Sequence, residues 1–476
     1  MSGPRGLRGH QVAVGMVGPA APATGQGGWR DDVRSVSMSR APVGIAVVGC
    51  GYVFDHYMAT WSRHPDLQLR GIHDIDGVRA RIVTKAYTLR DYGSMEALLA
   101  DPGVDIVVNL TSIDSHFDVT RTALEAGKHV YTEKPVGQSW EEAQRLYEIA
   151  EQNSVLLAAA PSNVLSPTLQ TMWRAVRDGA IGEPRVVYAE FDDNPVPLMH
   201  PETWRSRTGA PWPYLDEYEH GCTIEHGGYH LTWLCAMFGP VETVTAFSTQ
   251  VVPDKPSSGP EPADSPDLSL AALHFASGVV ARLTFSIVAP LSHGMQIVGE
   301  RGMLTAETYR HYECPVYLER FSDLTLNARK ARSVRNNRLL SRLLGVGGWR
   351  LPLVPSPYGY PAGARSSQTS PGFLQRLKRR ETGVQDKCLG IAELADAVVA
   401  DRQPFPPRDL TVHATELVYA IHQAGSRGCT YRPRTTFEPV SPHPVTLAAS
   451  MRYRPPARTS ALNALLRGQL ARMHQQ

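Results

Sequence analysis

Two short stretches of this chain combine glycine, glutamate and lysine at positions that suit dinucleotide chemistry. Gly49 and Gly51 directly follow the apolar run Val43–Val48. A turn of this kind between a strand and a helix cradles a pyrophosphate. Glu133 and Lys134 end a later apolar run, and a lysine there reaches the crevice that holds the reactive end of a bound dinucleotide. The two stretches predict a nicotinamide enzyme with a lysine beside the hydride-transfer site.

The choice between the two nicotinamide dinucleotides depends on Asp74. This residue ends the second apolar run, 25 residues after Gly49, where a carboxylate can accept hydrogen bonds from both adenosine ribose hydroxyls. The same carboxylate would repel a 2′-phosphate, so the sequence favours NAD. Arg79 and Arg81 follow closely and keep NADP possible. A purely structural role for Asp74, as the cap of the next helix, stays open.

A third stretch carries two histidines at helical spacing. His226 and His230 stand four residues apart, with Glu225 just before them, and residues four apart share one helix face. A histidine there can take a hydroxyl proton near neutral pH. The order H-E-x-x-H of zinc enzymes is missing, so we expect no metal. A structural role for both histidines is the alternative.

In this order the motifs resemble the glucose–fructose oxidoreductase, inositol dehydrogenase and rhizopine-catabolism (Gfo/Idh/MocA) family. Members typically carry a GxGxxA turn, a T-P-x-x-x-H turn, G-K-H-V-x-x-E-K-P and D-x-G-x-H. The resemblance runs from about Val43 to about Gly428, with a gap near 320–380. It implies that Lys134 bonds the substrate oxygen near the nicotinamide and that His230 is the acid–base group. His226 then replaces the usual aspartate.

The resemblance also implies a set of binding residues. Cofactor contacts are expected from Gly49, Gly51, Tyr52, Val53, Asp74, Thr111, Ser112, His116, Glu133 and Lys134. For His116, a capping or packing role is an equal alternative. Substrate contacts are expected from Asn163, Trp204 and Arg205. Phe54, Ser112 and His226 depart from the family pattern.

The order of predicted strands and helices along the chain indicates two domains of different architecture. Strands alternate with helices up to about residue 160, which indicates a Rossmann domain with a doubly wound parallel sheet over 41–162. Few helices separate the later runs, so 163–440 should form an α+β domain on a large, open, mostly antiparallel sheet. A basic insertion covers about 324–380. We expect a disordered extension over 1–40 and a tail over 441–476.

Composition bounds the partners of the chain. A net charge of +2 among 476 residues predicts no nucleic-acid binding, and no apolar run approaches the ~20 residues of a membrane span. Six cysteines without C-x-x-C pairs favour a cytoplasmic protein. The basic insertion reads as a solvated segment, or alternatively as an arm over an anionic partner.

The leading hypothesis is a dehydrogenase or reductase acting on a sugar, cyclitol or related polyol. A dinucleotide-recycling glycosidase or isomerase of the same family is an alternative. A non-catalytic dinucleotide-binding regulatory or scaffold protein is another. The one-sided sheet of the second domain, whose outer face needs a cover, predicts a homodimer or homotetramer.

Overall fold

The computed structural model describes residues 42–359 and 385–453. The predicted extension over 1–40, residues 360–380 of the basic insertion and the tail beyond residue 453 lie outside these ranges. Within them, no helix is long and apolar enough to cross a membrane.

Five parallel strands form the sheet of the first domain: β1 (Val43–Val48), β2 (Leu67–His73), β3 (Ile106–Asn109), β4 (His129–Thr132) and β5 (Leu157–Ala159). Their order is β2-β1-β3-β4-β5. The helices between them are α1 (Phe54–Trp61), α2 (Gly77–Tyr87), α3 (Met95–Leu99), α4 (Ile113–Glu125) and α5 (Trp140–Gln152). The chain changes direction between β1 and β3, and ligands of such sheets bind at that point, outside the carboxyl ends of the strands. The predicted Rossmann architecture is confirmed.

Local capping explains where these helices begin and end. Ser139 caps α5 by accepting the backbone N–H of Glu142. Asp76 caps α2 in the same way through Val78. Gly127, with φ +75°, lies just past α4 in the left-handed conformation that favours glycine.

The second domain is built on nine strands: β6 (Pro184–Asp192), β7 (Val241–Thr249), β8 (Leu268–Phe275), β9 (Val280–Ser286), β10 (Met295–Gly299), β11 (Gly302–Ala306), β12 (Val316–Arg320), β13 (Trp349–Arg350) and β14 (Cys429–Tyr431). Their order is β13-β12-β11-β10-β6-β9-β8-β7-β14. The pair β6–β9 is parallel and the other pairs are antiparallel. The predicted open, mostly antiparallel sheet is confirmed.

Helices of the second domain cover one face of this sheet and contact the first domain. They are α6 (Pro167–Arg177), α7 (Tyr214–His220), α8 (Cys222–Phe238), α9 (Asp323–Leu326), α10 (Ala328–Arg335), α11 (Arg338–Leu344), α12 (Leu389–Ala400), α13 (Arg408–His422) and α14 (Pro444–Ala448). Helix α8 packs on β8 and β9, and α13 packs on α8 and α5. Along β8, buried and exposed residues alternate, so the opposite face of the sheet is open.

The described part of the basic insertion, which the sequence predicts to be a solvated segment, is folded into helices, and most of its side chains are exposed. It contains α9, α10 and α11, followed by β13, which pairs with β12. The local reason is capping. Ser322 forms a capping box with Thr325, and Asn327 and Asn337 cap the next two helices.

The glycine-rich turn after β1 has the shape of a phosphate cradle. Gly49 has φ +89°, and a Cβ there would lie 2.7 Å from the carbonyl carbon of Leu110. At Gly51, by contrast, no described atom lies within 4 Å of the position of a Cβ. Phe54, which takes the place of the third small residue, turns into the core against Tyr87. The space beside Gly51 therefore stays available for a dinucleotide.

Gly51→Ala should lower the affinity for NADH by about tenfold or more, since the methyl group enters the space that the pyrophosphate needs. Its free energy of unfolding without cofactor should stay close to that of the wild type, because the space is open. Isothermal titration calorimetry and urea unfolding measure the two quantities.

Gly49→Ala is the matched control. It should lower the free energy of unfolding by about 1–3 kcal/mol, because the new side chain meets backbone and the residue keeps a positive φ. If Gly51→Ala binds NADH as tightly as the wild type does, the turn is not the phosphate cradle.

Candidate active site

The carboxyl end of β4 carries a buried carboxylate between two lysines. Glu133 is 5% exposed, and its Oε1 accepts the hydroxyl of Tyr57 at 2.9 Å. The Nζ atom of Lys387 lies 3.6 Å from the same oxygen. Burial alone would raise the pKa of Glu133, but Lys387 and Lys134 outweigh it and lower the pKa to about 2. Glu133 is therefore ionised and holds positive charge at this edge of the sheet.

Lys134 forms an ion pair with Glu225 of α8. Burial opposes the charged form of Lys134, yet Glu225 outweighs it and raises the pKa of the ammonium well above its ordinary value. Each side chain keeps 15% exposure. A positive charge thus remains at the crevice, where it can bond an oxygen that becomes negative during hydride transfer.

One helical turn beyond Glu225, the hydroxyl of Tyr229 meets the second lysine. Lys387 donates a hydrogen bond to Tyr229 Oη at 3.0 Å. Glu133, Lys134, Glu225, Tyr229 and Lys387 together form what we call the two-lysine cluster. It joins β4 of the first domain, α8 of the second and the segment just before α12.

The predicted acid–base residue His230 lies outside this cluster. It is 0% exposed. Its Nε2 is 3.0 Å from the carbonyl oxygen of Glu190, and its Nδ1 accepts the indole N–H of Trp233 at 3.0 Å. Burial lowers the pKa of His230 to about 4. Both ring nitrogens already have partners in the core, which favours the structural alternative for His230, and its acid–base role stays a prediction.

His226 faces the core with His230. Its ring stacks on Phe191 with centroids 4.0 Å apart, and its Nε2 lies 3.3 Å from Glu217. These contacts favour the structural alternative for His226, and its catalytic role stays a prediction. Successive residues of a helix point about 100° apart, so a register error of one residue selects the wrong face.

The sequence held a signal for the correct face. Glu225-x-Gly227-x-Tyr229 has the spacing of the family motif D-x-G-x-H, one residue earlier than the histidine-based alignment places it. Glu225 and Tyr229 stand four apart on α8, so both project towards the lysines. Lys387, more than 250 residues after Lys134, carries no motif that sequence reasoning could have used.

The turn after β3 is tied to β4 by His116. The Nδ1 atom of this residue lies 2.8 Å from the carbonyl oxygen of Pro135, and its Nε2 lies 3.1 Å from that of Thr111. It is 2% exposed, and burial lowers its pKa. These contacts support the packing alternative for His116. Ser112 is exposed at the N-terminus of α4, beside Ser115.

Two aromatic side chains, Tyr52 and His56, lie at the start of α1 beside the site. Tyr52 and Val53 are half-buried beside the glycine-rich turn, and Tyr52 lies edge-on to His56, with centroids 5.1 Å apart. Burial and, after it, the charge of Lys387 lower the pKa of His56 to about 4. His56 is therefore a neutral group near the lysines, and no sequence motif identified it.

The adenosine end of the site is defined by Asp74 and Arg79. Asp74 accepts the backbone N–H of Cys50 in the glycine-rich turn at 2.6 Å. Arg79 donates to the carbonyl oxygen of Cys50 at 2.5 Å and to that of Thr208 at 2.9 Å. With the open space at Gly51 and the beginning of α1 nearby, these residues fit a bound dinucleotide.

The three predicted substrate-binding residues each have a partner within the protein. Asn163 is 0% exposed and donates to the backbone carbonyl of Tyr229 at 2.8 Å, so it supports α8. Trp204 packs on Trp212 with centroids 4.8 Å apart. Arg205 bonds the carbonyl oxygen of Glu202 within its own loop. The substrate contacts of all three residues stay predictions.

The same loop reaches the dinucleotide side of the site. Thr208 donates its backbone N–H and its hydroxyl to Asp55 of α1, at 2.7 and 2.8 Å. This explains why residues near Trp204 lie by the glycine-rich turn. In the described ranges, no group of three His, Cys, Asp or Glu residues is arranged to hold a metal ion.

Comparison with known proteins supports the same interpretation. Residues 43–160 match the family model of the oxidoreductase family with an NAD-binding Rossmann fold. Residues 169–305 match the GFO/IDH/MocA C-terminal domain. Together the matched residues make up more than half of the chain.

Several relatives with assigned names align with parts of the chain. An uncharacterised oxidoreductase of Synechocystis is 25% identical over 280 residues, 56% of this chain and 72% of that protein. Trans-1,2-dihydrobenzene-1,2-diol dehydrogenase of Bos taurus is 25% identical over 243 residues, 49% of this chain and 66% of that protein. UDP-N-acetylglucosamine 3-dehydrogenase of Acidithiobacillus ferrooxidans is 34% identical over 123 residues, 26% and 37% of the two chains.

Solved structures share the fold over most of the chain. Levoglucosan dehydrogenase with NADH and levoglucosan has a TM-score of 0.63 at 16% identity, covering 82% of this chain and 99% of that one. An Agrobacterium radiobacter oxidoreductase with NAD+, L-tartaric acid and magnesium has a TM-score of 0.61 at 19% identity, covering 82% and 98%. The chain therefore belongs to the Gfo/Idh/MocA family of NAD-binding oxidoreductases.

Proposed function

We propose that this protein is a dehydrogenase that moves a hydride between nicotinamide and a carbinol carbon of a sugar, cyclitol or related polyol. The observation that carries the proposal is the charged Lys134, held by Glu225 at the carboxyl end of β4. The names of its relatives support the substrate class, since they include dehydrogenases of D-apiose, UDP-N-acetylglucosamine and a dihydrodiol.

Lys134 bonds the substrate oxygen and stabilises the negative charge that develops there, an effect that is largest in a partly desolvated site. Tyr229 takes the acid–base role that the family resemblance implies for His230. In support, Tyr229 keeps 9% exposure while His230 has none. Its hydroxyl also belongs to the two-lysine cluster. Bound NAD supplies the hydride acceptor for this chemistry.

NAD is the preferred cofactor in this proposal. The Asp74 carboxylate at the end of β2 would repel a 2′-phosphate. Arg79, the nearest candidate to bind such a phosphate, already donates to the backbone of Cys50 and Thr208. A cytoplasmic location stays a prediction, supported by the free thiol state of all six cysteines.

A panel of sugars, inositols and keto-sugars, assayed by nicotinamide absorbance with both dinucleotides, tests the activity. We expect turnover of at least one polyol and stronger binding of NAD than of NADP. Tight NAD binding without turnover of any compound would favour the regulatory alternative. Turnover without net release of NADH would favour the dinucleotide-recycling alternative.

Lys134→Met should lower kcat by about 10²–10³-fold, because the lost charge acts on the transition state. Affinity for NAD should change little. Lys128→Met is the matched control, since Lys128 bonds the backbone of Asp101 and Val104 at the other end of β4. Equal kcat values for the two variants would contradict the role of Lys134.

The open face of the large sheet supports a homo-oligomer. Large apolar side chains are exposed on four strands of this face: Tyr188, Leu270, Val280 and Tyr317. An exposed apolar patch of a sheet commonly marks an interface with another chain. A second copy of the protein would cover it and exclude water from these side chains.

Light scattering should therefore give a dimeric or tetrameric mass at micromolar concentration, and Leu270→Lys should shift the protein towards the monomer. Lys85→Ala, an exposed change on α2 of the first domain, should leave the mass unchanged. A monomeric wild-type protein contradicts the proposal.

A further inference from the structure

Lys387 reaches the active site from a segment that is held firmly on the first domain. Asp386 contacts His64 Nε2 at 3.0 Å, and the thiol of Cys388 donates to the carbonyl oxygen of Tyr57 at 3.3 Å. Both contacts lie on or just after α1. The residues on either side of Lys387 therefore fix its backbone independently of the charges around its ammonium group.

The ammonium group of Lys387 is buried and still charged. The side chain is 10% exposed, which would favour the neutral amine. Glu133, at 3.6 Å, outweighs burial and raises the pKa of Lys387 well above its ordinary value. Glu133 makes the largest contribution to keeping this group charged, and Lys387 also donates a hydrogen bond of 3.0 Å to Tyr229.

That hydrogen bond fixes the orientation of the phenol. An ammonium group has three donors and no acceptor, so the oxygen of Tyr229 must accept. The O–H of Tyr229 is then left to donate to another acceptor. Asn163 holds the backbone of Tyr229, and Phe191 and Tyr309 pack on its ring, so the ring has little freedom to turn away.

We propose that Lys387 is a positioning residue that directs the hydroxyl of Tyr229 towards the substrate oxygen and stabilises its phenolate. The inference rests on the proposed function and deepens it, since it explains how a tyrosine serves where the family motif carries a histidine. Lys134 is paired with Glu225, whereas the hydrogen bond to the phenol oxygen of Tyr229 comes from Lys387.

The proton and electron balance is simple. When a ketone is reduced, a hydride from the reduced nicotinamide forms the new C–H bond. The O–H bond of Tyr229 breaks, its proton forms the hydroxyl of the product, and the phenolate stays beside Lys387 until water returns a proton. Oxidation of the alcohol runs the same steps in reverse.

Several titratable side chains near Tyr229 interact with it electrostatically. Lys134 follows β4 and Lys387 precedes α12. Arg310 and the hydroxyls of Tyr309 and Tyr312 follow β11. The carboxylates of Glu133 and Glu225 offset the two lysines. Among these groups, Lys387 donates the hydrogen bond to the phenol oxygen, so its removal should have the most direct effect on the phenolate.

The first test compares kcat of the wild type with Lys387→Met, Lys387→Arg and Tyr229→Phe on an accepted polyol. We expect Lys387→Met to lower kcat about tenfold or more, with a smaller change in KM. Lys387→Arg should recover part of the loss, because it keeps the donor and the charge. Lys128→Met, which removes a lysine at the other end of β4, should change kcat less than about threefold.

A double-mutant cycle separates positioning from simple structural support. If Lys387 acts through Tyr229, adding Lys387→Met to Tyr229→Phe costs little further kcat. Independent, additive losses in the two variants would overturn the proposal, as would an unchanged kcat for Lys387→Met.

A second readout needs no substrate. Ultraviolet titration of the cofactor-free protein to alkaline pH records tyrosinate formation, and the difference from Tyr229→Phe isolates the signal of Tyr229. We expect this signal at higher pH in Lys387→Met and near its wild-type position in Lys387→Arg. An identical position in all three proteins would overturn the inference.

The two readouts also distinguish the failure of this inference from that of the proposed function. If no polyol is oxidised, the proposed function fails, but the titration still measures the interaction between Lys387 and Tyr229. If Lys387→Met does not fold, Lys387→Gln, which also removes the charge, takes its place in both readouts. A tyrosinate signal at higher pH together with lower kcat then supports the proposal, and unchanged values of both overturn it.

Discussion

The active site depends on one buried carboxylate. Glu133 brings together a backbone amide, a tyrosine hydroxyl and two lysines. Neither lysine could remain charged at this depth without a partner, since an unpaired buried charge is costly. The folded pKa of Glu133, about 2, lies below its ordinary value of 4.5. Its contribution to stability is therefore fully present above about pH 4.5 and is lost as the pH falls towards 2.

This arrangement makes the site a product of long-range contacts. Glu133 and Lys134 lie at the end of β4, whereas Glu225 and Tyr229 belong to α8 and Lys387 precedes α12. The chain must fold both domains and bring α8 against β4 before the lysines find their partners. In a site assembled in this way the charged groups are held in fixed positions, because each ammonium group is paired with a carboxylate of the same cluster. Preorganised charge of this kind is what stabilises a developing oxyanion most strongly.

The elements of the fold could be predicted from the sequence because their signals are local. The apolar run Val43–Val48 and the cap at Ser139 each act within a few residues of the chain. The turn at Gly49 is similar, since its positive φ requires glycine. The pairing of Lys134 with Glu225 and of Lys387 with Tyr229 could not be predicted, because it depends on how α8 docks. Two alignments of the D-x-G-x-H spacing fit α8, and only the docking of this helix shows which of its faces meets the crevice.

The histidines of α8 show most clearly why residue type alone does not identify the side chains at the crevice. His230 fills the core with both ring nitrogens bonded, and His226 stacks on Phe191. Both histidines therefore serve as polar core residues. A histidine in a motif attracts a catalytic interpretation because its ordinary pKa lies near neutrality, yet burial moves the pKa of His230 to about 4. Tyr229, one residue earlier, keeps a hydroxyl at the crevice and gains a cation beside it. Proton chemistry on this helix is decided by which side chain stays next to a charge, rather than by which residue has the more suitable pKa in water.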